Sequence, residues 1–255
     1  MNILVCIKEV PDDSVSVSVS NDRAVTEDIT PIVNAFDTYS LEMAVRLKEK
    51  EEGQVVVVSI GDEGVKNSLK NCLAVGADKA YLIKCDDYKN LDTNSITNIL
   101  IDAKKKLEEE CGVFDLVCFG KETTDKEASQ VGVYFANKVG QGVVTSVIEI
   151  TKDGDSLISK QEIDGGYREV ETKMPSVLTI AKPNYEPRYP TIKSKMAARR
   201  QKIDDIEVDS ISELILEELK DFEPEKRQAG VKINEEDAEV SVQKAIELMK
   251  EKKVI

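Results

Sequence analysis

The sequence contains no histidine and no tryptophan. Without imidazole there is no Ser-His or Cys-His nucleophile pair and no histidine-ligated metal, so much hydrolase chemistry and the commonest zinc sites are excluded. Positive charge is also scarce: 35 Lys and Arg face 49 Asp and Glu, a formal net charge of −14. Binding along a phosphate backbone draws on clustered cations, so nucleic acid is not an expected partner. No apolar run approaches the roughly 18 residues of a membrane helix, and membrane insertion is not expected. The five cysteines (Cys6, Cys72, Cys85, Cys111, Cys118) are odd in number and form no CxxC pair. They lie mostly in apolar segments and read as core thiols rather than disulfides or ligands. The opening Met1-Asn2-Ile3-Leu4-Val5-Cys6-Ile7-Lys8 lacks the charged start and the long apolar stretch of a secretory leader. It reads as a first strand, and a cytoplasmic location is expected.

What the chain does have is alternation. Apolar runs of strand length at Ile3 to Lys8, Val55 to Ile60, Ala80 to Ile83 and Phe114 to Phe119 suit strands buried on both faces. Between them, Thr38 to Glu51, Val65 to Val75, Ser95 to Glu110 and Lys126 to Val139 place apolar residues three and four apart, as amphipathic helices do. This order implies an α/β fold with a doubly wound, mostly parallel sheet. Ligands then sit at the carboxyl ends of the strands, in the loops after Lys8, Ile60 and Phe119. From Val143 the texture becomes strand-like and alternating, punctuated by Asp153-Gly154 and Asp164-Gly165-Gly166, which predicts a β-hairpin region. The run Ser14 to Ser20, alternating Ser and Val, predicts a half-exposed strand. The chain divides into an α/β nucleotide-binding region over 1–182, a partner-recognition loop over 183–203 and an extended C-terminal arm over 204–255. The arm is poor in apolar residues and ends in a helix-like Asp237 to Lys252.

Three segments are candidates for chemistry. Gly120 to Gly132 follows a buried strand and opens a helix, a place suited to a phosphate, yet it matches neither G-x-G-x-x-G nor the Walker pattern. It can equally be an ordinary helix start with Asp125 as N-cap. Asp37 can likewise be only the N-cap of the helix through Met43 and Leu47, and Pro31 to Asn34 only a loop. The cations Arg188, Lys193, Lys195, Arg199, Arg200 and Lys202 cluster near Tyr185, Tyr189, Ile192 and Met196. That cluster is either a solvated face or an exposed loop with anchors for a partner.

Four segments together resemble the beta subunit of electron transfer flavoproteins: Ile3 to Lys8; Asn34-Ala35-Phe36-Asp37 with Glu42 to Lys48; Gly120 to Gly132; and Lys160 to Thr179, continuing into Asn184 to Ile192. The resemblance implies an adenine-nucleotide alpha-hydrolase-like, Rossmann-like fold. It implies a heterodimer with an alpha subunit around which the arm wraps, and an exposed loop that meets an acyl-CoA dehydrogenase-like partner through Arg188, Tyr189, Ile192 and Met196. It further implies a nucleotide held by Cys6, Asn34, Phe36, Asp37, Ile60, Thr93, Thr97, Asp125, Ala128, Ser129, Gln130, Val131 and Gly132, and no catalytic side chains or metal. In ordinary members that nucleotide is AMP. In electron-bifurcating members it is FAD, which accepts hydride from NADH and passes electrons both to the dehydrogenase and to ferredoxin. The ending Gln130-Val131-Gly132 and the segment Asp92 to Thr97 are similar to the bifurcating type, whereas Lys126, Glu127 and Ala35 depart from the family patterns. An adenine-nucleotide-binding signalling protein of similar fold would need neither the Ile163 to Thr179 signature nor the basic cluster.

Overall fold

The computed structural model of the chain describes residues 1–208, 214–225 and 229–255. The opening apolar run forms β1 (Asn2–Ile7), and the excursion after it carries β2 (Glu9–Pro11), β3 (Ser18–Ser20), β4 (Arg23–Val25) and β5 (Pro31–Val33). A regular alternation follows: α1 (Ala35–Glu51), β6 (Gln54–Gly61), α2 (Lys66–Ala74), β7 (Lys79–Lys84), α3 (Thr93–Cys111), β8 (Leu116–Gly120) and α4 (Val131–Val139). Then come β9 (Gly142–Asp153), β10 (Ser156–Ile163), β11 (Gly166–Lys173), β12 (Ser176–Ile180), α5 (Ile192–Arg200), β13 (Asp204–Ile206) and α6 (Ala238–Glu251).

Among the described residues the main sheet runs in the order β11-β10-β9-β12-β8-β1-β6-β7-β13. Its pairs are parallel except β9 with β10 and β10 with β11, the expected hairpins. The central strands carry long consecutive apolar runs, Ile3 to Ile7 in β1, Val55 to Val58 in β6 and Leu116 to Phe119 in β8, because both faces are covered. Ile3, Val5 and Ile7 join one core with Leu41 and Val45 of α1 and Leu69 of α2. Leu4 and Cys6 join the opposite core with Ile99 of α3 and Phe135 of α4. Each such side chain, fully buried, contributes on the order of 1.5–3 kcal/mol, which fixes register, since a one-residue slip would exchange the two cores. The sheet grows outward from β1 through β6 to β7, and α3 then carries the chain back to β8 on the other flank of β1. Strand order therefore reverses between β1 and β8, and the crevice at their carboxyl ends is the ligand position of such sheets.

Several expectations need correction. The helix expected from Lys126 begins at Val131, leaving a longer loop before it. Only Ser18–Ser20 of the alternating Ser/Val run is strand, since Val15 and Val17 remain 46% and 42% exposed and have no apolar face to cover. Residues 204–206, assigned to the arm, instead add parallel β13 beside β7. The basic segment is no loop over 192–200 but helix α5, started by a capping box in which Thr191 Oγ1 accepts from the Ser194 N–H and Ser194 Oγ from the Thr191 N–H. No helix of the described residues is long and apolar enough to cross a membrane.

The described end of the chain packs thinly. Helix α6 buries no side chain, and Leu219 and Phe222 are 79% and 75% exposed. A chain ending at Val208 is expected to unfold in urea with a free energy within about 1 kcal/mol of the full chain, the scale of surface contributions. A larger loss would make the arm part of the core.

Candidate functional site

The crevice between β1 and β8 is tied together by one carboxylate. Asp37 lies in the first turn of α1, and Asn34, not Asp37, occupies the N-cap position. Asp37 Oδ2 accepts from the Lys8 N–H at 2.7 Å and Oδ1 from the Gly120 N–H at 3.0 Å, joining the ends of β1 and β8. Glycine is required at 120, because a Cβ there would stand 2.4 Å from Asp37 Oδ1 and 2.8 Å from Phe36 Cβ. Asn34 makes no capping bond because its amide is used across the crevice: Nδ2 donates to the Glu122 carbonyl at 2.8 Å, and Oδ1 accepts from the Thr124 N–H at 3.2 Å. Burial pushes the Asp37 carboxyl up to about 7, against the opposing pull of the Lys8 and Gly120 N–H groups, Asn34 and the Lys8 charge.

The loop over 121–130 closes one side. Asp125 is not an N-cap, since α4 starts six residues later; its carboxylate pairs with Lys8 Nζ at 2.5 Å. Glu127 and Ser129 adopt positive φ of 49° and 53°, and Ser129 Oγ donates to Glu122 Oε2 at 2.7 Å. Non-glycine residues adopt this conformation only where surrounding structure holds them. Gln130, at the N-cap position, makes no side-chain cap. The first N–H groups of α4 thus have no side-chain cap and lie at the positive end of the helix, a ready anion position beside the crevice. Gly132 lets the helix approach the sheet: a Cβ there would meet Thr179 Cγ2 at 2.7 Å.

The start of α3 completes the enclosure. Asp92 caps it, Oδ1 accepting from the Ser95 N–H at 2.8 Å. Thr93 Oγ1 donates to Gln130 Oε1 at 3.2 Å, so the α3 and α4 starts meet. Thr97 is buried one turn in, its hydroxyl bonded to the Thr93 carbonyl. Ala128 is exposed on the loop, Phe36 stacks edge-on with Tyr39, and Ile60 packs at the end of β6 against the α3/α4 core. Cys6 lies enclosed beneath the crevice, and burial, then the charge of Asp37, raises its thiol well above the usual range.

The electron transfer flavoprotein domain matches residues 23–211. The chain is 35% identical over 216 residues to the electron transfer flavoprotein subunit beta of Thermoanaerobacterium thermosaccharolyticum, covering 82% of this chain and 81% of that one. It is 30% identical to the subunit beta of Megasphaera elsdenii over the whole of both chains. To the caffeyl-CoA reductase-Etf complex subunit CarD of Acetobacterium woodii it is 32% identical, over 80% of this chain and 77% of that one.

The chain belongs to the electron transfer flavoprotein family. It is a member of the beta-subunit kind, and its function is electron transfer.

In this flavoprotein subunit, the fold brings Asn34, Phe36, Asp37, Thr93, Asp125 and the 128–132 stretch to one crevice, with Cys6 and Thr97 enclosed behind it. Tyr189, Ile192 and Met196 form a separate surface, 89%, 83% and 54% exposed, around the start of α5. Arg188 faces the other way, its guanidinium bonded to Glu42 and Glu49 of α1. Sequence reasoning missed Lys8 and Glu122 as site residues, although Lys8 stands one residue beyond a buried strand, where crevice residues of such sheets are found. It also missed an internal contact of the arm. Asp92 Oδ2 accepts from the Ile215 and Leu216 N–H groups, Glu218 pairs with Lys126, and Asp221 accepts from the Ala24 N–H. The described stretch 214–221 thus crosses beside the crevice.

The Asp37 shift sets a pH dependence. The group titrates at an ordinary 3.8 when unfolded and about 7 when folded, so folding favours the protonated form. Its contribution is fully present below about pH 4 and is lost as pH rises through about 7, at up to about 1.4 kcal/mol per pH unit. With no imidazole in the chain, nothing of that kind masks this window. Urea unfolding should show greater stability at pH 5 than at pH 8. Asp37→Asn should flatten that difference while costing about 1–3 kcal/mol at pH 5, because its amide nitrogen meets a backbone donor. Superimposable pH profiles for both proteins would refute the assignment.

Proposed function

We propose that the crevice between β1 and β8 holds FAD and that this subunit, paired with an alpha subunit, belongs to the electron-bifurcating branch of its family. The carrying observation is the contact of Thr93 with Gln130 at 3.2 Å. It joins the two segments, Asp92 to Thr97 and Gln130 to Gly132, that resemble bifurcating members. The residues present fit a dinucleotide: uncapped N–H groups at the start of α4 suit a pyrophosphate, and the α3 start lines the same wall. The likeness to CarD, a subunit named for an Etf complex with a CoA-ester reductase, supports the same reading.

When bound, such a flavin supplies the redox chemistry, taking a hydride from NADH and passing electrons to an acyl-CoA dehydrogenase-like partner and to ferredoxin. The chain's own part is to bind and orient. Backbone N–H groups of α4 would hold the phosphates, while Asp37 fixes the crevice walls and Asn34 pins the loop that closes them. The arm's exposed α6 is assigned to wrapping the alpha subunit.

A second reading, an ordinary electron carrier with structural AMP, is favoured by the Lys8–Asp125 pair and the 214–221 stretch, which narrow the mouth of the crevice. Mass spectrometry of nucleotides released from the purified alpha-beta pair separates the two. Two FAD per pair are expected; one FAD with one AMP would overturn bifurcation and leave the carrier.

The surface formed by Tyr189, Ile192 and Met196 is assigned to the dehydrogenase. Ile192→Ala should weaken coupling to it by about 1–2 kcal/mol, the size of a moderate interface hot spot, with nucleotide content unchanged. Dye-linked turnover with an acyl-CoA dehydrogenase measures this, and unchanged turnover removes α5 from the interface.

A further inference from the structure

Helix α1 presents Glu42 and Glu49 to the segment that leads into α5. Glu42 is only 3% exposed, and every strong donor it meets is an arginine or an arginine's backbone. Arg188 Nε donates to Glu42 Oε2 at 2.8 Å, and its backbone N–H donates to the same oxygen at 3.1 Å. The far side of the same guanidinium forks onto Glu49, with Nη1 to Oε1 at 2.6 Å and Nη2 to Oε2 at 3.0 Å. Arg46 adds a bond to Glu42 Oε1 and lays its guanidinium over the Tyr185 ring, 3.8 Å from the centroid. Burial alone would push the Glu42 carboxyl up, but these donors outweigh it and hold it below the ordinary range.

An exposed ion pair would contribute little. Here a buried carboxylate depends on Arg188, and leaving such a charge unpaired is costly, so the segment Tyr185 to Arg188 is latched to α1. Only Tyr189, Pro190 and Thr191 separate the latch from α5. The other end of α5 is held on α2: Ala198 is 3% exposed in the core shared with Leu69 and Cys72, and Lys70 Nζ donates to the carbonyls of Arg199 and Gln201. At its amino end α1 carries Asp37, which joins the crevice walls. From Asp37 to Glu49 is roughly 18 Å along one continuous helix. The same rod thus sets both the nucleotide crevice and the docking surface.

We propose that Arg188 does not contact the electron-transfer partner, but is a positioning residue that, through Glu42 and Glu49, holds the Tyr189, Ile192 and Met196 surface at a fixed place relative to the crevice. The proposal rests on the reading of that surface as the dehydrogenase interface. Charge alone does not fulfil this role. The planar guanidinium makes two parallel bonds to Glu49 while its Nε bonds Glu42, a fixed donor geometry that a lysine ammonium does not reproduce.

The test compares Arg188→Lys, Glu42→Gln and Ile192→Ala in the purified alpha-beta pair. Deuterium exchange of the 189–200 backbone is followed by mass spectrometry, and turnover is titrated with a purified short-chain acyl-CoA dehydrogenase. Arg188→Lys and Glu42→Gln should each speed exchange over 189–200 and raise KM for the dehydrogenase by about tenfold, the equivalent of about 1.4 kcal/mol, with kcat and nucleotide content unchanged. Ile192→Ala should raise KM without changing exchange. If Ile192→Ala leaves KM unchanged, the interface reading fails and takes the proposal with it. If Ile192→Ala raises KM but Arg188→Lys does not, the positioning role alone is overturned. A raised KM for Arg188→Lys with wild-type exchange would make Arg188 a direct contact and also overturn it. Should Glu42→Gln fold poorly, Arg188→Lys carries the same decision, since it keeps the charge and alters only the fork.

Discussion

The carboxylate of Asp37 is the constraint on which the crevice depends. A doubly wound sheet necessarily leaves a gap where strand order reverses, because the two strands flanking it send their chains to opposite faces. Here those strands are β1 and β8, and their final N–H groups would otherwise point into the gap. Asp37 accepts one from each side, at Lys8 and at Gly120. The cost is a charge deep in the protein, seen in the raised titration of this group. Glycine at 120 follows directly, as any side chain would occupy the carboxylate's place. The position of α1 follows too, since its first turn carries this residue, and with α1 come Glu42, Glu49 and the segment latched to them.

The parts of the fold legible in the sequence are those set by burial. β1, β6 and β8 are apolar at consecutive positions because alternate residues feed two different cores, and that pattern needs no tertiary knowledge to read. Helix starts were harder, and for a common reason. Asp37 and Asp125 both satisfy the local rule for an N-cap, yet each carboxylate is drawn to a distant partner, the β1 and β8 ends in one case and Lys8 in the other. A local preference of about 1 kcal/mol yields when a tertiary partner is available to the same oxygen. The start of α5 escaped because its capping box uses Ser194 at the third position, where Glu or Gln is the readable signal. β13 is three residues long and carries two aspartates, so nothing in its composition announces a strand.

The site was legible as a set of loops but not as a set of contacts. That the loops after Lys8, Ile60 and Phe119 lie at one edge follows from topology, whereas the α3 start entered only through the resemblance. That Asn34 should reach across to Glu122 and Thr124, or Thr93 to Gln130, depends on side-chain reach, which spacing does not encode. The role expected of Arg188 shows the same limit: a cation beside exposed aromatic and aliphatic residues suggests an interface, while its actual partners lie 139 and 146 positions earlier in the chain.

Charge is arranged consistently across these features. In a chain of net −14, the cations nearest the crevice are engaged by carboxylates: Lys8 by Asp125, Lys126 by Glu218 and Lys121 by Glu122. An anionic ligand held as proposed would therefore be attracted mainly by backbone N–H groups at the start of α4 rather than by mobile ammonium groups. Such donors are held by the fold and require no side-chain ordering when a ligand arrives. The cations of α5, Lys193, Lys195, Arg199 and Arg200, are by contrast exposed on a separate surface.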